Sequence, residues 1–323
     1  MRKIVLTGLF YLMLSPLFGQ QDTQYGQYIY NGLYLNPAYA GYREAIFGQA
    51  FYRSQWTGIK GAPQSLSVSI DAPITDKNIG IGAIVTKDKI GAQSSLNGYA
   101  NLAYRLRLNH NVFNVLAFGV GAGVLQTGVN GNLLEADEIG DTRIPVGFES
   151  KVVPSLRIGA QLSTETFFMG LSANNLFAKR LTDVNDVLIN LNAETHFYFT
   201  AAMVFPIYTD INLKPSFLIK DDLHGPTSMD LNAFLIFKDR FSFGATYRTS
   251  VKLFPKRNLQ NNLTKRSAVG FISDFLIQQR FRVGYGFDYS LNKLGNYDYG
   301  SHEISIGYYF SIAPVRNKLF FCF

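Results

Sequence analysis

The stretch Arg280-Phe-Arg-Val-Gly-Tyr-Gly-Phe-Asp-Tyr-Ser290 decides the fold class, because large apolar side chains alternate in it with polar or small ones. Successive side chains of an extended strand point to opposite faces, so this alternation predicts a β-strand with two unlike faces. One face carries Phe281, Val283, Tyr285, Phe287 and Tyr289. The other face carries Arg280, Arg282, Gly284, Gly286, Asp288 and Ser290. A strand of this kind is typical of a barrel wall between lipid and a polar interior.

The same alternation recurs along the whole chain. It predicts fourteen strands, at 45–56, 64–72, 78–87, 92–108, 111–127, 151–162, 165–174, 192–206, 211–221, 227–238, 240–250, 266–276, 279–291 and 301–313. The connections are alternately tight and mostly longer, the longer ones including 88–91, 128–150 and 175–191. Short periplasmic turns and longer outer loops are typical of an outer-membrane β-barrel, and an even strand number places both ends of its wall in the periplasm. The residues predicted to face lipid include Leu66, Phe118, Phe243, Val283 and Ile306.

Composition excludes two other classes of protein. Of the 323 residues, 47% are hydrophobic and only 16% are charged, well below the roughly 25% charged residues of ordinary soluble domains. A polytopic helical membrane protein would need repeated runs of about 20 apolar residues, which the mean hydropathy of +0.04 does not fit. The aromatic content of 15% also excludes a disordered chain. The composition therefore favours an all-β fold.

Two alternatives to a membrane barrel remain at this stage. A soluble β-sandwich also alternates, but Lys and Glu would solvate its outer faces, in place of Ser, Asn, Gly and Arg opposite aromatic rings. The uncharged stretch 111–134 has the length of a transmembrane helix. Gly119, Gly121 and Gly123 alternate with larger residues there, which favours a strand whose glycines face the lumen.

The N-terminus has the pattern of an export signal. Residues 1–19 combine a basic start, an apolar stretch and a breaker at Pro16, so we predict a signal peptide cleaved near Gly19 over an uncleaved anchor helix. Cleavage leaves 28 basic against 23 acidic residues, a mild excess that does not suggest nucleic acid as a partner. Cys322 is the single cysteine, which excludes an intrachain disulfide and lipid anchoring through a cysteine after the signal peptide.

The sequence offers little chemistry. The glycines at 119–123 lack the GxGxxG spacing of a nucleotide loop, and the four histidines are scattered without metal-ligand spacing. Acidic residues cluster at 135–141, where solvated charge is favoured over a calcium site. No G-x-S-x-G motif or convincing Ser/His/Asp set is present. We therefore predict neither an enzyme nor a cofactor or metal.

The polar faces of the predicted strands carry charges that would be costly in lipid, roughly 2–4 kcal/mol for an Arg or Lys at the midplane. They are therefore expected to face the lumen. A functional lumen would hold a polypeptide segment, because arginine suits carboxylates and backbone carbonyls; a solvated or self-paired lumen is the alternative. The candidate lumenal residues for partner binding are Arg105, Arg107, Arg157, Lys214, Arg248, Arg280, Arg282, Asp288 and Glu303, with Asp71 and Asp274 beside them.

The segment 20–44 is not a strand. Five tyrosines surround Asn36-Pro37 between Asp22 and Gly41, which is too aromatic for a free tail and too interrupted for a spanning strand. We predict that 20–44 folds back as an N-terminal plug on the periplasmic side of a barrel at 45–313, with a C-terminal tail at 314–323. The lumen would then be mostly occluded.

Three motifs resemble the opening of the PorP/SprF family of type IX secretion membrane proteins, whose pattern reads approximately QY..N.LYLNPAYAG, then YR.QW.GI.GAP, then a strand ending D.PI. The matching residues are Tyr28, Asn31, Tyr34, Leu35, Asn36, Pro37, Ala38, Tyr39 and Gly41; Tyr52, Arg53, Gln55, Trp56, Gly58, Gly61 and Pro63; and Asp71 and Pro73. The tail after the last strand departs from the expected aromatic strand end.

The resemblance implies an outer-membrane barrel of Bacteroidota-type bacteria that works in type IX secretion and gliding motility. It would bind and anchor, or help export, a secreted surface protein such as a large adhesin through that protein's C-terminal domain. Periplasmic or outer-membrane secretion components and membrane lipid are the other implied partners. The alternative is a passive porin, which would use the lumenal charges as a weak filter.

Overall fold

Antiparallel strands account for most of the residues that the computed structural model describes, which are 24–74, 78–108, 114–134, 144–177, 194–256 and 266–310. The predictions for the signal peptide, the tail at 314–323, Cys322 and the acidic cluster at 135–141 lie outside the described residues. Within the described ranges, no helix has both the length and the apolar character needed to cross a membrane.

The strands follow one another along the chain with few interruptions. Their bounds are β1 Phe47–Ser54, β2 Gln64–Ile74, β3 Ile79–Ile90, β4 Gln93–Arg107, β5 Val115–Asn130, β6 Phe148–Ser163, β7 Phe167–Leu176, β8 His196–Met203, β9 Phe205–Tyr208, β10 Ile211–Asp221, β11 Thr227–Phe237, β12 Phe241–Val251, β13 Arg266–Ile277, β14 Phe281–Ser290 and β15 Ser301–Tyr309.

The sheet closes on itself. The first strand pairs antiparallel with the last, with Phe47 opposite Tyr309, and also with β2. Both β8 and β9 pair with β10 and are separated only by the buried Val204, so they form one strand of the wall. The result is a closed antiparallel barrel of fourteen strands, as the sequence predicts. Closure pairs the backbone groups of every strand, which is what a β-structure in lipid requires.

The alternation of faces also holds. Leu66, Phe118, Phe243 and Ile306 are exposed on the outside of the barrel, and Val283 is half-buried on the same face of its strand. The intervening residues are buried and polar, as Ser65, Ser67, Ser69 and Asp71 show on β2. The glycine-rich stretch predicted as a strand lies within β5, so the transmembrane-helix alternative is wrong.

Several strand ends differ from their predicted positions. The loop predicted at 88–91 is only the two residues between β3 and β4, because the ladder continues to Ile90 opposite Gln93 and Gly91 makes the turn at φ +56°. The hairpin of β5 and β6 likewise extends to Asn130 opposite Phe148, inside the loop predicted at 128–150. Pairing with a neighbour, which alternation alone does not report, continues these strands beyond their apolar residues.

Candidate functional site

Residues 24–44, called here the N-terminal segment, make three short helical turns and no strand. A 3₁₀ turn at Tyr28–Tyr30 leads into the α-helix α1 at Gly32–Leu35, and a second 3₁₀ turn follows at Pro37–Tyr39. The side chain of Asn36 accepts a hydrogen bond from the backbone N–H of Ala38 at 2.9 Å and so caps the last turn. Proline at the next position fixes the φ angle that a helical turn needs.

The aromatic side chains of the N-terminal segment are buried. Tyr25, Tyr28, Tyr30, Tyr34 and Tyr39 are each at most 9% exposed. They pack edge-on against one another and against inward-facing rings of the wall, as in the pairs Tyr25–Tyr34, Tyr25–Phe51, Tyr30–Phe234 and Tyr39–Phe168. Burial raises the pKa of the Tyr28 and Tyr39 hydroxyls above the ordinary value.

Glycines on the inner face of the wall make room for the backbone of this segment. A Cβ on Gly119 would overlap the backbone nitrogen of Ala38, and one on Gly159 would overlap the side chain of Asn36. These glycines therefore do not bind phosphate; they allow the close approach that a larger residue would block. Three more inward-facing glycines meet the segment in the same way, namely Gly80 at Ala40, Gly82 at Leu33 and Gly284 at Gln27.

Inward-facing polar side chains bind the backbone of the segment. Arg157 donates to the carbonyls of Leu33 and Tyr34 at 2.6 and 3.1 Å, and Ser172 donates to the carbonyl of Leu35 at 2.7 Å. These bonds satisfy carbonyls at the end of a helix that is too short to pair them internally. The inward-facing side chains thus hold the chain's own N-terminal segment through its backbone carbonyls.

The C-terminal end of the segment is held at the end of the barrel where the short turns lie. The backbone N–H of Gly41 donates to Asp71 at 3.0 Å, and the carbonyl of the same residue accepts from Arg105 at 2.8 Å. The Arg105 guanidinium also lies 3.5 Å from Glu44. Arg43 donates to the carbonyl of Tyr30 at 3.1 Å and lies over the Phe47 ring, 4.3 Å from its centroid.

A buried layer of charges lies at the start of the segment. Arg53 contacts Asp288 at 2.7 Å and Glu303 at 3.1 Å, while Arg248 contacts Asp288 at 3.3 Å and Asp230 at 2.9 Å. The Glu303 carboxylate accepts two further hydrogen bonds, from the backbone N–H groups of Gly26 at 2.7 Å and Gln27 at 3.0 Å. Buried charges need such partners, and here backbone groups of the segment are among them.

Two more cations flank Tyr30. The Arg282 guanidinium lies 3.8 Å from the centroid of that ring, and its Nε is 2.7 Å from Asp274, an ion pair in which the N–H points off the hydrogen-bond axis. Lys214 has no exposed surface and lies 4.8 Å from the Tyr30 centroid and 5.1 Å from that of Phe234. Desolvated cations over ring faces are attracted by the ring quadrupole.

The structure places most, but not all, of the predicted lumenal residues in this interior. Seven are buried there, namely Arg105, Arg157, Lys214, Arg248, Arg282, Asp288 and Glu303. Arg107 is exposed at the last position of β4. Arg280 is exposed in the turn between β13 and β14, because Gln278 and Gln279 adopt positive φ angles and the strand begins only at Phe281. These two arginines are therefore not among the buried residues of the interior: Arg107 shares the face of Arg105 at the open end of β4, and Arg280 belongs to a turn.

The three family motifs converge on the N-terminal segment and on the loop after β1. The motif residues at 28–41 are all buried in the segment. Asp71 and Pro73 lie against Gly41, and Arg53 binds Glu303. Tyr52 instead faces outward, and the remaining motif residues, Gln55, Trp56, Gly58, Gly61 and Pro63, shape the loop after β1.

That loop is braced by its neighbours. The backbone N–H of Gln55 donates to the carbonyl of Pro63, and that of Trp56 donates to Ser301. Gly58 has a φ of +96°, and the ring of Tyr299 lies against it. Only glycine adopts this backbone angle readily, so the motif glycine shapes the loop.

Sequence reasoning missed several residues of the site. Gln27, Arg43, Asp230 and Ser172 all contact the segment or the charges that hold it. The sequence feature that could have indicated this site is the glycines on the inward faces of several strands. Glycine on the inner face of a barrel leaves space in which another segment can pack. Among the described residues, no group of three or more His, Cys, Asp or Glu side chains is placed to bind a metal.

Comparison with known proteins bears on identity. Residues 17–308 match the family model of the type IX secretion system membrane protein PorP/SprF. No curated protein matches the chain. Similar solved structures include Omp33 of Acinetobacter baumannii, with 10% identity and a TM-score of 0.45 over 82% of this chain and 96% of that one. A FadL homologue of Pseudomonas aeruginosa has 9% identity and a TM-score of 0.46, over 85% of this chain and 93% of that one.

The family match spans most of the chain, including all three motifs and every strand except the last residue of β15. A membrane secretion family and a closed barrel with an apolar exterior together support an outer-membrane location. The chain belongs to the PorP/SprF family of type IX secretion system membrane proteins.

Proposed function

We propose that this protein is an outer-membrane barrel partner of the type IX secretion system that binds an exported surface protein, such as a large adhesin, and anchors it or helps its export. The N-terminal segment acts as a plug in the barrel, after removal of a signal peptide near Gly19. Family membership supports the secretion role. Binding, not catalysis, is the activity.

The observation that supports this proposal is the burial of the N-terminal segment against inward-facing side chains of the wall. The segment is tied to the wall at both ends, through Glu303 near its start and through Asp71 and Arg105 at Gly41. Between these ends, Arg157 and Ser172 bind its carbonyls. A barrel filled in this way is poorly suited to passive diffusion, which counts against the porin alternative.

The buried lumenal arginines support the proposed partner binding through the segment that they hold. Arg282 lies against Tyr30, and Arg157 binds the carbonyl of Leu33. A partner reaches these groups only if it displaces the segment, whereas the braced loop after β1 is accessible in the plugged state. We propose that the exported protein is bound with the plug in place and that the lumenal charges keep the plug seated.

Affinity purification of the tagged full-length protein from its native membrane tests this function. We expect it to enrich an exported protein with a C-terminal secretion domain, together with periplasmic or outer-membrane components of the secretion system. A preparation in which none of these is enriched over an unrelated outer-membrane barrel of similar abundance would contradict the proposal.

A matched pair of charge reversals tests the role of the lumen. Arg282→Glu removes the cation between Tyr30 and Asp274, while Arg280→Glu changes an exposed turn residue two positions away. Loss of one partner of a desolvated pair costs about 2–5 kcal/mol. We expect Arg282→Glu to lower the amount of exported partner on the cell surface and Arg280→Glu to leave it unchanged. Equal surface levels in both variants would exclude the lumenal contribution.

A further inference from the structure

The outward face of β3 changes from aliphatic to basic within one strand. Ile79, Ile81 and Val85 are exposed on the outside of the barrel, and Lys87 and Lys89 follow on the same face. The eight residue-to-residue steps from Ile79 to Lys87 correspond to about 26 Å of strand, or roughly 20 Å across the membrane at a tilt of 35–45°. The lysines therefore lie where an apolar band of roughly 25 Å ends.

Strand register shows that this change belongs to the wall and not to one strand. Lys87 pairs with Leu66 on β2 and with Leu96 on β4, so the aliphatic part of its side chain lies between two apolar neighbours. One row nearer the loops, Lys89 pairs with Gln64 and Ser94. The boundary of the hydrocarbon region thus runs between the level of Lys87 and the level of Lys89. The Lys87 side chain extends its ammonium group toward the lipid headgroups.

A third lysine lies at the same end of β3. The backbone N–H of Gly91, in the turn after this strand, donates to the carbonyl of Gly61 at 2.9 Å. Lys60 directly precedes Gly61 and is exposed. The loop after β1 thereby places Lys60, one residue before this contact, at the same end of β3 as Lys87 and Lys89.

None of the ion pairs recorded for the described residues involves these three lysines. Asp88 lies between Lys87 and Lys89 in sequence but on the opposite, inward face of the strand. The outer wall therefore presents positive charge above an aliphatic surface formed by Leu66, Val85 and Leu96. A membrane lipid with an anionic headgroup matches both parts of this surface.

We propose that Lys60, Lys87 and Lys89 form a binding site for the phosphate of a membrane lipid, whose acyl chains lie along the aliphatic residues of β2, β3 and β4. The loops of such barrels face the cell exterior, so the lipid is a phosphorylated glycolipid of the outer leaflet. This site does not depend on the proposed function.

Native mass spectrometry of the full-length protein in detergent tests the site, with phosphorylated lipid A and its dephosphorylated form as probes. The protein is expected to retain the phosphorylated lipid and to lose it roughly tenfold more readily when Lys87→Gln and Lys89→Gln are combined. A matched control combines Lys238→Gln and Arg240→Gln, which remove two exposed charges from the turn between β11 and β12 at the other end of the barrel.

Four results would overturn the proposal. The first is unchanged lipid retention in the Lys87 and Lys89 variant, and the second is an equal loss in the control variant. The third is equal retention of the dephosphorylated lipid, which would show that the acyl chains alone bind. The fourth is binding of a glutamate-rich peptide by a protein that does not retain the phosphorylated lipid, which would show that the patch binds an acidic protein segment.

Discussion

The guanidinium of Arg157 on β6 holds the carbonyl of Leu33 at 2.6 Å, although the two residues are 124 positions apart. The same guanidinium binds the next carbonyl, of Tyr34, and lies 4.9 Å from the centroid of Tyr99 on β4. One side chain thus joins the wall to the N-terminal segment through its planar shape as well as its charge.

Replacing Arg157 with lysine tests whether that shape matters. Lysine keeps the charge but cannot span two carbonyls in the same way, so we expect Arg157→Lys to lower the free energy of unfolding by about 2 kcal/mol. Urea titration of the refolded barrel measures this loss. The control Arg107→Lys, at the exposed end of β4, should change stability by less than about 0.5 kcal/mol. Equal effects of the two substitutions would contradict the role of Arg157.

Gly119 tests the fit between wall and segment. Its missing side chain leaves room for the backbone of Ala38, so Gly119→Val should push the segment off the wall while the outward face of β5 stays intact. We expect chymotrypsin to cleave the folded variant between Tyr25 and Tyr39 at least tenfold faster than the natural protein, because a seated segment hides those tyrosines.

The matched control for this substitution is Gly98→Val. Gly98 lies on the neighbouring strand, where a Cβ would meet only the Val85 side chain at 4.0 Å. The control should be protected from chymotrypsin as well as the natural protein. Protection of Gly119→Val to the same degree would show that the segment does not depend on this contact.

Glu303 is expected to be the strongest single attachment of the segment. It is fully buried, binds Arg53 and accepts from two backbone N–H groups. Glu303→Gln leaves Arg53 without one of its charge partners and directs an amide NH₂ toward donors, at a cost of about 3–5 kcal/mol. Thermal unfolding should show a clear decrease in the transition temperature, whereas Glu149→Gln, at an exposed position of β6, should show none.

The inward and outward faces of the strands could be predicted because the two-residue alternation is visible within each strand. Alternation of two residues specifies which face of a strand meets lipid, and Leu66, Phe118 and Ile306 followed it. Turn geometry limits this reasoning at strand ends. Arg280 fitted the alternation and still lies outside the strand, because two positive φ angles at Gln278 and Gln279 place it in the turn.

The interior was less predictable because its contacts join distant parts of the chain. The tyrosines at 25–39 indicated a buried segment, but nothing local shows that Gly119 meets Ala38 or that Arg53 meets Glu303, 250 residues away. The first contact depends on where the segment is seated, and the second on barrel closure, which makes β1 and β15 neighbours with Arg53 opposite Glu303. The sequence therefore indicated which residues are inside and left open which of them touch.

Single-channel recording in planar bilayers tests most directly the claim that the N-terminal segment closes the barrel. A barrel of this strand number encloses enough space for an aqueous channel when nothing fills it. We predict that the natural protein gives no steady large conductance, whereas Gly119→Val gives frequent openings as the segment leaves its position. Steady porin-like conductance of the natural protein, unchanged by this substitution, would contradict the account and favour a passive channel.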